Sequence, residues 1–263
     1  MVTLAAIFPP SQPPERLVAV AAATESAGLE QLWVWEDCFA ESGIATAAAF
    51  LAATRRVTIG IGLLPVPLRN VALTAMEIAT LSRLFPGRLT AGVGHGVLDW
   101  MGQVGARAES PMTLLREYTA ALYALLRGET VTTHGRYVRL DGVTLAWPPA
   151  VVPPLLVGGI RPRTVALAGE LADGVIIPSG VGPDEVRASV GHLHGQRIAG
   201  RGPADVVVFI SAPAAGPAEA IAATVNAYAA AGATQVAVNT DEHDADLGRF
   251  AEFLAREVGP LVQ

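Results

Sequence analysis

The chain has 263 residues, 51% hydrophobic and 16% charged, with a formal net charge of −6. That length suits one large domain or two small ones, and the acidic balance, with arginine as the only basic residue and no basic patch, argues against a nucleic-acid partner. A lone cysteine, Cys38, excludes an internal disulfide and points to a reducing cytoplasm; no window approaches the roughly 18 apolar residues of a membrane span.

Short aliphatic runs alternate with longer alanine-rich stretches along the whole chain. The opening VTLAAIF (2–8) has no basic flank of the kind a secretory leader carries and reads as a buried strand. A helix is predicted from Pro13 to Ala27, with Leu17, Val20 and Ala21 at helical spacing and Gly28 as its stop. LEQLWVW (29–35) is the second strand, followed by a helix over 43–53. VTIGIGLL (57–64) is the third, followed by a helix over 71–85 that Pro86 and Gly87 close. RLTAGVG (88–94) is the fourth, and a helix over 111–127 follows. The rhythm then breaks. Residues 128–149 alternate as a strand pair does around Gly135 and Asp141-Gly142, which predicts an inserted β-hairpin. It resumes with strands at 155–159, 174–178, 206–211 and 235–239. Helices are predicted behind them at 162–172, 183–199, 217–231 and 243–258.

Eight strand–helix units result, with strands apolar on both faces, as a fully covered parallel sheet requires. Eight units in about 250 residues predict a single α/β domain over 1–263, a TIM (β/α)8 barrel, ahead of an open doubly wound sheet. The active site of such a barrel lies at the C-terminal ends of its strands.

Several segments fall at that end. GVGHG (92–96) fails the dinucleotide fingerprint, because Val97 stands where the third glycine belongs. Two readings of it stay open: a tight turn with an incidental histidine, or Gly94 and Gly96 leaving room for a flat ligand beside a titratable His95. LLVGGIRPRT (155–164) ends a strand in Gly158-Gly159 and starts a helix at Pro162, with Arg161 and Arg163 nearby; that combination suits a phosphate. In WVWEDCF (33–39), Glu36 and Asp37 are costly at a strand end unless paired or hydrogen-bonded. His134, His192, His194 and His243 fall on the hairpin or on helices, and the i,i+2 spacing of His192 and His194 separates their rings. No metal site is expected.

Residues 57–96, then GVLDWMGQVGA, HGRYVRLDGVTLAWPP and LLVGGIRPRTVALAGELADGVIIPSG, resemble the luciferase-like flavin and deazaflavin oxidoreductases in that order. The resemblance is to the branch that uses coenzyme F420, with FMN as the alternative cofactor. It implies a barrel holding the coenzyme's ring at its C-terminal mouth, backed by a non-proline cis bond at Gly62–Leu63. Asp37 and His95 are the implied catalytic residues, Asp37 touching the ring and His95 moving a proton. The implied coenzyme contacts are Asp37, Gly62, Leu63, Val93, Gly94 and Gly96 on one side. On the other are Gly158, Gly159, Ile160, Arg161 and Ser179, with Gly158 and Gly159 as the phosphate turn. The coenzyme's oligoglutamate tail is expected to reach solvent, where arginines can meet it. Cys38 and His95 replace a histidine and a glutamate of the sugar-phosphate-oxidising members, which speaks against that substrate. The implied reaction is hydride transfer from reduced F420 to a C=N or activated C=C bond of a small molecule. The alternatives are an FMN-dependent monooxygenase and a non-catalytic flavin-binding barrel. A homodimer is implied, with no membrane partner.

Overall fold

The computed structural model describes residues 2–198, 202–240, 242 and 245–263. The aliphatic runs form β1 (Thr3–Phe8), β2 (Gln31–Val34), β3 (Thr58–Pro65) and β4 (Leu89–Gly94), then β7 (Leu155–Gly158), β8 (Gly174–Ile177), β9 (Asp205–Ser211) and β10 (Gln235–Asn239). All eight pair in parallel and close into a barrel in the order β1-β10-β9-β8-β7-β4-β3-β2. The hairpin is β5 (Val131–His134) against β6 (Arg139–Val143), an antiparallel pair outside the barrel. A Glu117 carboxylate pins its turn by accepting the amides of Arg136, Tyr137 and Val138 at 2.8–3.0 Å.

The helices are α1 (Leu17–Ala27), α2 (Gly43–Ala53), α3 (Val71–Leu84), α4 (Leu98–Gln103), α5 (Pro111–Leu126), α6 (Pro162–Leu171), α7 (Pro183–Gly195), α8 (Ala218–Ala230) and α9 (Leu247–Phe253). Their ends follow local chemistry. Gly28 terminates α1 at φ +83°, where its missing Cβ carries no steric cost. Asn70 caps α3 by accepting from Ala72 N at 2.9 Å, and Asp246 caps α9 by accepting from Gly248 N and Arg249 N. The expected helix over 183–199 stops at Gly195. The one expected from 243 begins at Leu247 and passes into a π-helical turn over Leu254–Val258. His243 lies outside the described residues. Among those residues no helix is long and apolar enough to cross a membrane.

Strand residues alternate between two apolar clusters. One fills the space between strands and helices; the other, with Ala5, Ile7, Trp33, Leu156, Ile176, Val207, Phe209 and Ala237, fills the barrel. Four inward positions of β3 and β4, Gly60, Gly62, Gly92 and Gly94, are glycines, and the reason is packing. A Cβ on Gly60 would lie 2.4 Å from the fully buried Trp33 indole. On Gly62 it would lie 2.6 Å from Phe209, and on Gly92 2.5 Å from Ile176. The bare side of the barrel is what lets two large aromatics occupy its centre. Gly60→Ala is therefore expected to cost about 1–3 kcal/mol as overpacking, read as a lowered urea midpoint with an unchanged slope; a wild-type midpoint would show that the Trp33 ring yields freely.

Candidate active site

The C-terminal ends of six barrel strands surround a cavity of about 530 Å³. The end of β2 brings Trp35, Glu36 and Asp37. A bulge in β3 brings Gly62, Leu63 and Pro65, and the segment after β4 brings His95 and Gly96. Val97 and Trp100 come from α4 and its cap. Gly158 and Gly159 follow β7, Pro178 and Ser179 follow β8, and Ile176 and Phe209 rise from within the barrel. The Gly62–Leu63 bond is cis, and so is Cys38–Phe39.

Trp35 stacks on Phe209 with centroids 5.8 Å apart, and its Nε1 donates to Asp37 Oδ2 at 2.9 Å. Burial raises the Asp37 pKa and the Trp35 hydrogen bond partly opposes it. Glu36 is buried and fully engaged. It accepts two hydrogen bonds from the Arg69 guanidinium, one of 2.6 Å to Oε2, and a third from Gly43 N at 2.8 Å. Arg69 Nε also lies 3.4 Å from Glu77. The expectation that an acid here needs partners is met for both carboxylates.

His95 is half-buried. Its Nε2 lies 3.5 Å from Thr164 Oγ1, and its Nδ1 is buried without a hydrogen-bond partner. Burial lowers its pKa and the positive charge of Arg161 adds to that, while the Pro111 carbonyl, short of a hydrogen bond, pulls the other way. The imidazole is thus neutral at neutral pH.

At the turn after β7, the Gly159 amide is occupied by Ile176 O at 3.0 Å. Arg161 caps α6 with extended backbone and Pro162 fills its first turn, so any anion there must be met by the amides of Ile160, Arg161 and Arg163, not that of Gly159.

Of the residues named from sequence, Asp37, Gly62, Leu63, His95, Gly96, Gly158, Gly159 and Ser179 line the cavity. Four do not. Val93 is fully buried on the helix side of β4, because strand residues alternate and its neighbours Gly92 and Gly94 take the inward positions. Gly94 lies beneath Leu63, whose Cδ2 stands 2.5 Å from where a Cβ would be; the same atom lies 2.1 Å from the Cβ position of Gly158. Gly94 and Gly158 therefore make room for the Leu63 side chain. Gly96 meets Pro65 and Met101 in the same way. Ile160 and Arg161 stand outside the cavity lining, the first of them exposed. Sequence reasoning missed Trp35, Phe209, Trp100 and Pro178; alternation placed Trp35 on the inward side with Trp33, a signal that was available. Among the described residues no group of three or more His, Cys, Asp or Glu is arranged to hold a metal ion.

Residues 2–257 match the family described as luciferase-like monooxygenase. The chain belongs to that family. Among relatives, it is 30% identical over 202 residues to 5,10-methylenetetrahydromethanopterin reductase of Methanolobus tindarius, covering 76% of this chain and 61% of that one. It is 31% identical to F420-dependent glucose-6-phosphate dehydrogenase of Nakamurella multipartita, covering 65% of this chain and 54% of that one. The chain thus spans somewhat over half the length of these curated relatives. A solved F420-dependent secondary alcohol dehydrogenase in complex with an F420-acetone adduct superposes with a TM-score of 0.87 over the whole of both chains, at 18% identity. That likeness shows the closed (β/α)8 barrel fold for this chain.

Proposed function

We propose that this chain is a coenzyme F420-dependent oxidoreductase that passes hydride to a C=N or activated C=C bond of a small molecule. The observation that carries the reading is the cavity itself. It is largely apolar, is lined by Asp37, by Glu36 already held by Arg69, and by the His95 imidazole, and ends on a turn before a helix N-terminus. Its volume suits a small-molecule cofactor, and the relatives named for F420 select among the flat heterocycles that would fit.

When bound, the coenzyme supplies the two-electron carrier. The chain's residues do the rest. Trp35, Leu63, Pro65 and Phe209 exclude water from the mouth. Asp37, held by Trp35, offers its other oxygen to a ligand N–H, and His95 holds or passes the proton that accompanies hydride transfer. Free amides at the start of α6 and Arg161 meet a phosphate. The lone Cys38 is in keeping with a reducing cytoplasm.

Titrating the purified chain with F420 and with FMN tests the reading. Tighter binding of F420, with turnover on an imine or enone panel, is the expected result. Preference for FMN would replace it with an oxygen-using enzyme, and binding without turnover would leave a flavin-binding barrel. The partner we propose is a second copy of this chain. Leu73, Met76 and Leu84 lie 47%, 57% and 65% exposed along one face of α3, an apolar stripe that a monomer leaves wet. Sedimentation as a monomer at micromolar concentration would remove that proposal.

A further inference from the structure

A second cavity, of about 480 Å³, lies beside the first. The two share a wall. Pro65 lines the first and Val66 and Pro67 line the second; Glu36 faces the first and its partner Arg69 the second. The outer walls are the loop after α4, the middle of α5 and the turn of the inserted hairpin, which Glu117 holds in place.

Three guanidiniums, Arg69, Arg107 and Arg139, line this space, and no carboxylate does. In a chain of net charge −6 that local excess calls for an explanation. The neighbouring acids account for part of it. Arg69 is engaged with Glu36 and Glu77 from outside the cavity. Arg107 holds the Leu98 carbonyl and meets Asp99 at 3.0 Å, although that carboxylate is 90% exposed. Arg139, an exposed residue, has no ion-pair partner among the described residues, and its one side-chain hydrogen bond is a long one, Nε to the Gly135 carbonyl at 3.4 Å. Its terminal N–H groups remain available. Tyr137 adds a hydroxyl that accepts from Ser110 N at 2.7 Å and still has a proton to donate.

We propose that this second cavity binds a carboxylate-bearing organic anion, with Arg139 and Arg107 as its principal donors. Guanidinium forks match carboxylates in planar, two-point contacts. The anion has two possible sources: an acidic group of the substrate, or glutamates on the coenzyme. Only this choice rests on the function proposed above; the anion site stands on the cavity alone.

The test is calorimetric titration of the whole protein with γ-glutamylglutamate, and with its uncharged amide as control. Saturable binding of the acid, weakening as salt rises, is expected, with no binding of the amide. Arg139→Gln, which removes no buried contact, should weaken the acid about tenfold, the loss of one charge-assisted contact. Arg107→Gln should weaken it further. No binding, or binding indifferent to Arg139→Gln, overturns the proposal. A second arm compares F420 with the same deazaflavin lacking its phosphate and glutamates. If Arg139→Gln weakens only the complete coenzyme, its glutamates are the occupant. If it weakens neither, while the dipeptide still loses affinity, the substrate's acid is. Failure of both deazaflavins to bind would refute the F420 reading and leave the anion site untouched.

Discussion

Arg69→Ala is expected to lower the free energy of unfolding by about 3–5 kcal/mol, the range for removing one partner of a buried ion pair. The side chains of Arg69 and Glu36 are 14% and 6% exposed, and among the described residues the guanidinium is the only cation on Glu36. Among the described residues, removing it leaves Glu36 with a single hydrogen bond, from Gly43 N, and leaves Glu77 beside it with no cation. Burial already raises the Glu77 pKa, with Arg69 restraining the rise and Glu36 adding to it. Without Arg69 the Glu77 carboxylate would hold its proton more tightly in the folded chain than in the unfolded one. A folded-state pKa above the unfolded value contributes stability below the unfolded pKa and loses it as pH rises through the folded one. The deficit of the variant should therefore be largest at neutral pH and narrow on acidification. Urea denaturation at two pH values checks both statements. A wild-type midpoint, or a deficit that ignores pH, would show that Arg69 acts only through packing.

That network also shows how far sequence reasoning reaches. Acids at the end of β2 had to be paired, and this followed from the cost of burying charge. The partner could not be read, because Arg69 lies 33 residues away on a different strand end. Local signals did better. Parallel strands buried on both faces leave uninterrupted aliphatic runs, and Gly28 marks the end of α1 through its own backbone chemistry. Only α4 escaped, a six-residue helix too short for periodicity to show. The glycines of β3 and β4 were legible as places of close approach but not as to what approaches. Three-dimensional packing gives those positions to Trp33, Phe209, Ile176 and Leu63. Trp35 and Phe209, which wall the cavity together, come from opposite ends of the chain.

His95→Ala is expected to slow turnover by roughly 10²–10⁴, the usual worth of a positioned acid or base, with coenzyme affinity nearly unchanged. The direction of its pH dependence follows from its surroundings. Burial and Arg161 hold its pKa below the ordinary 6.5, so the ring is neutral under ordinary conditions. Reduction consumes a proton, and the imidazole must carry one before it can give one. The reductive rate should therefore rise as pH falls from neutrality toward that lowered value, and the reverse reaction should slow over the same range. His95→Ala should flatten both profiles. Stability moves with the same group. Its folded pKa lies below the unfolded one, so its contribution is present above pH 6.5 and is lost as pH falls through the window beneath it. Proton NMR of the His95 ring gives the midpoint directly. A midpoint at or above 6.5 would mean that the imidazole is not desolvated as its unpartnered Nδ1 requires, and an unchanged rate in His95→Ala would assign the proton to water or to Asp37.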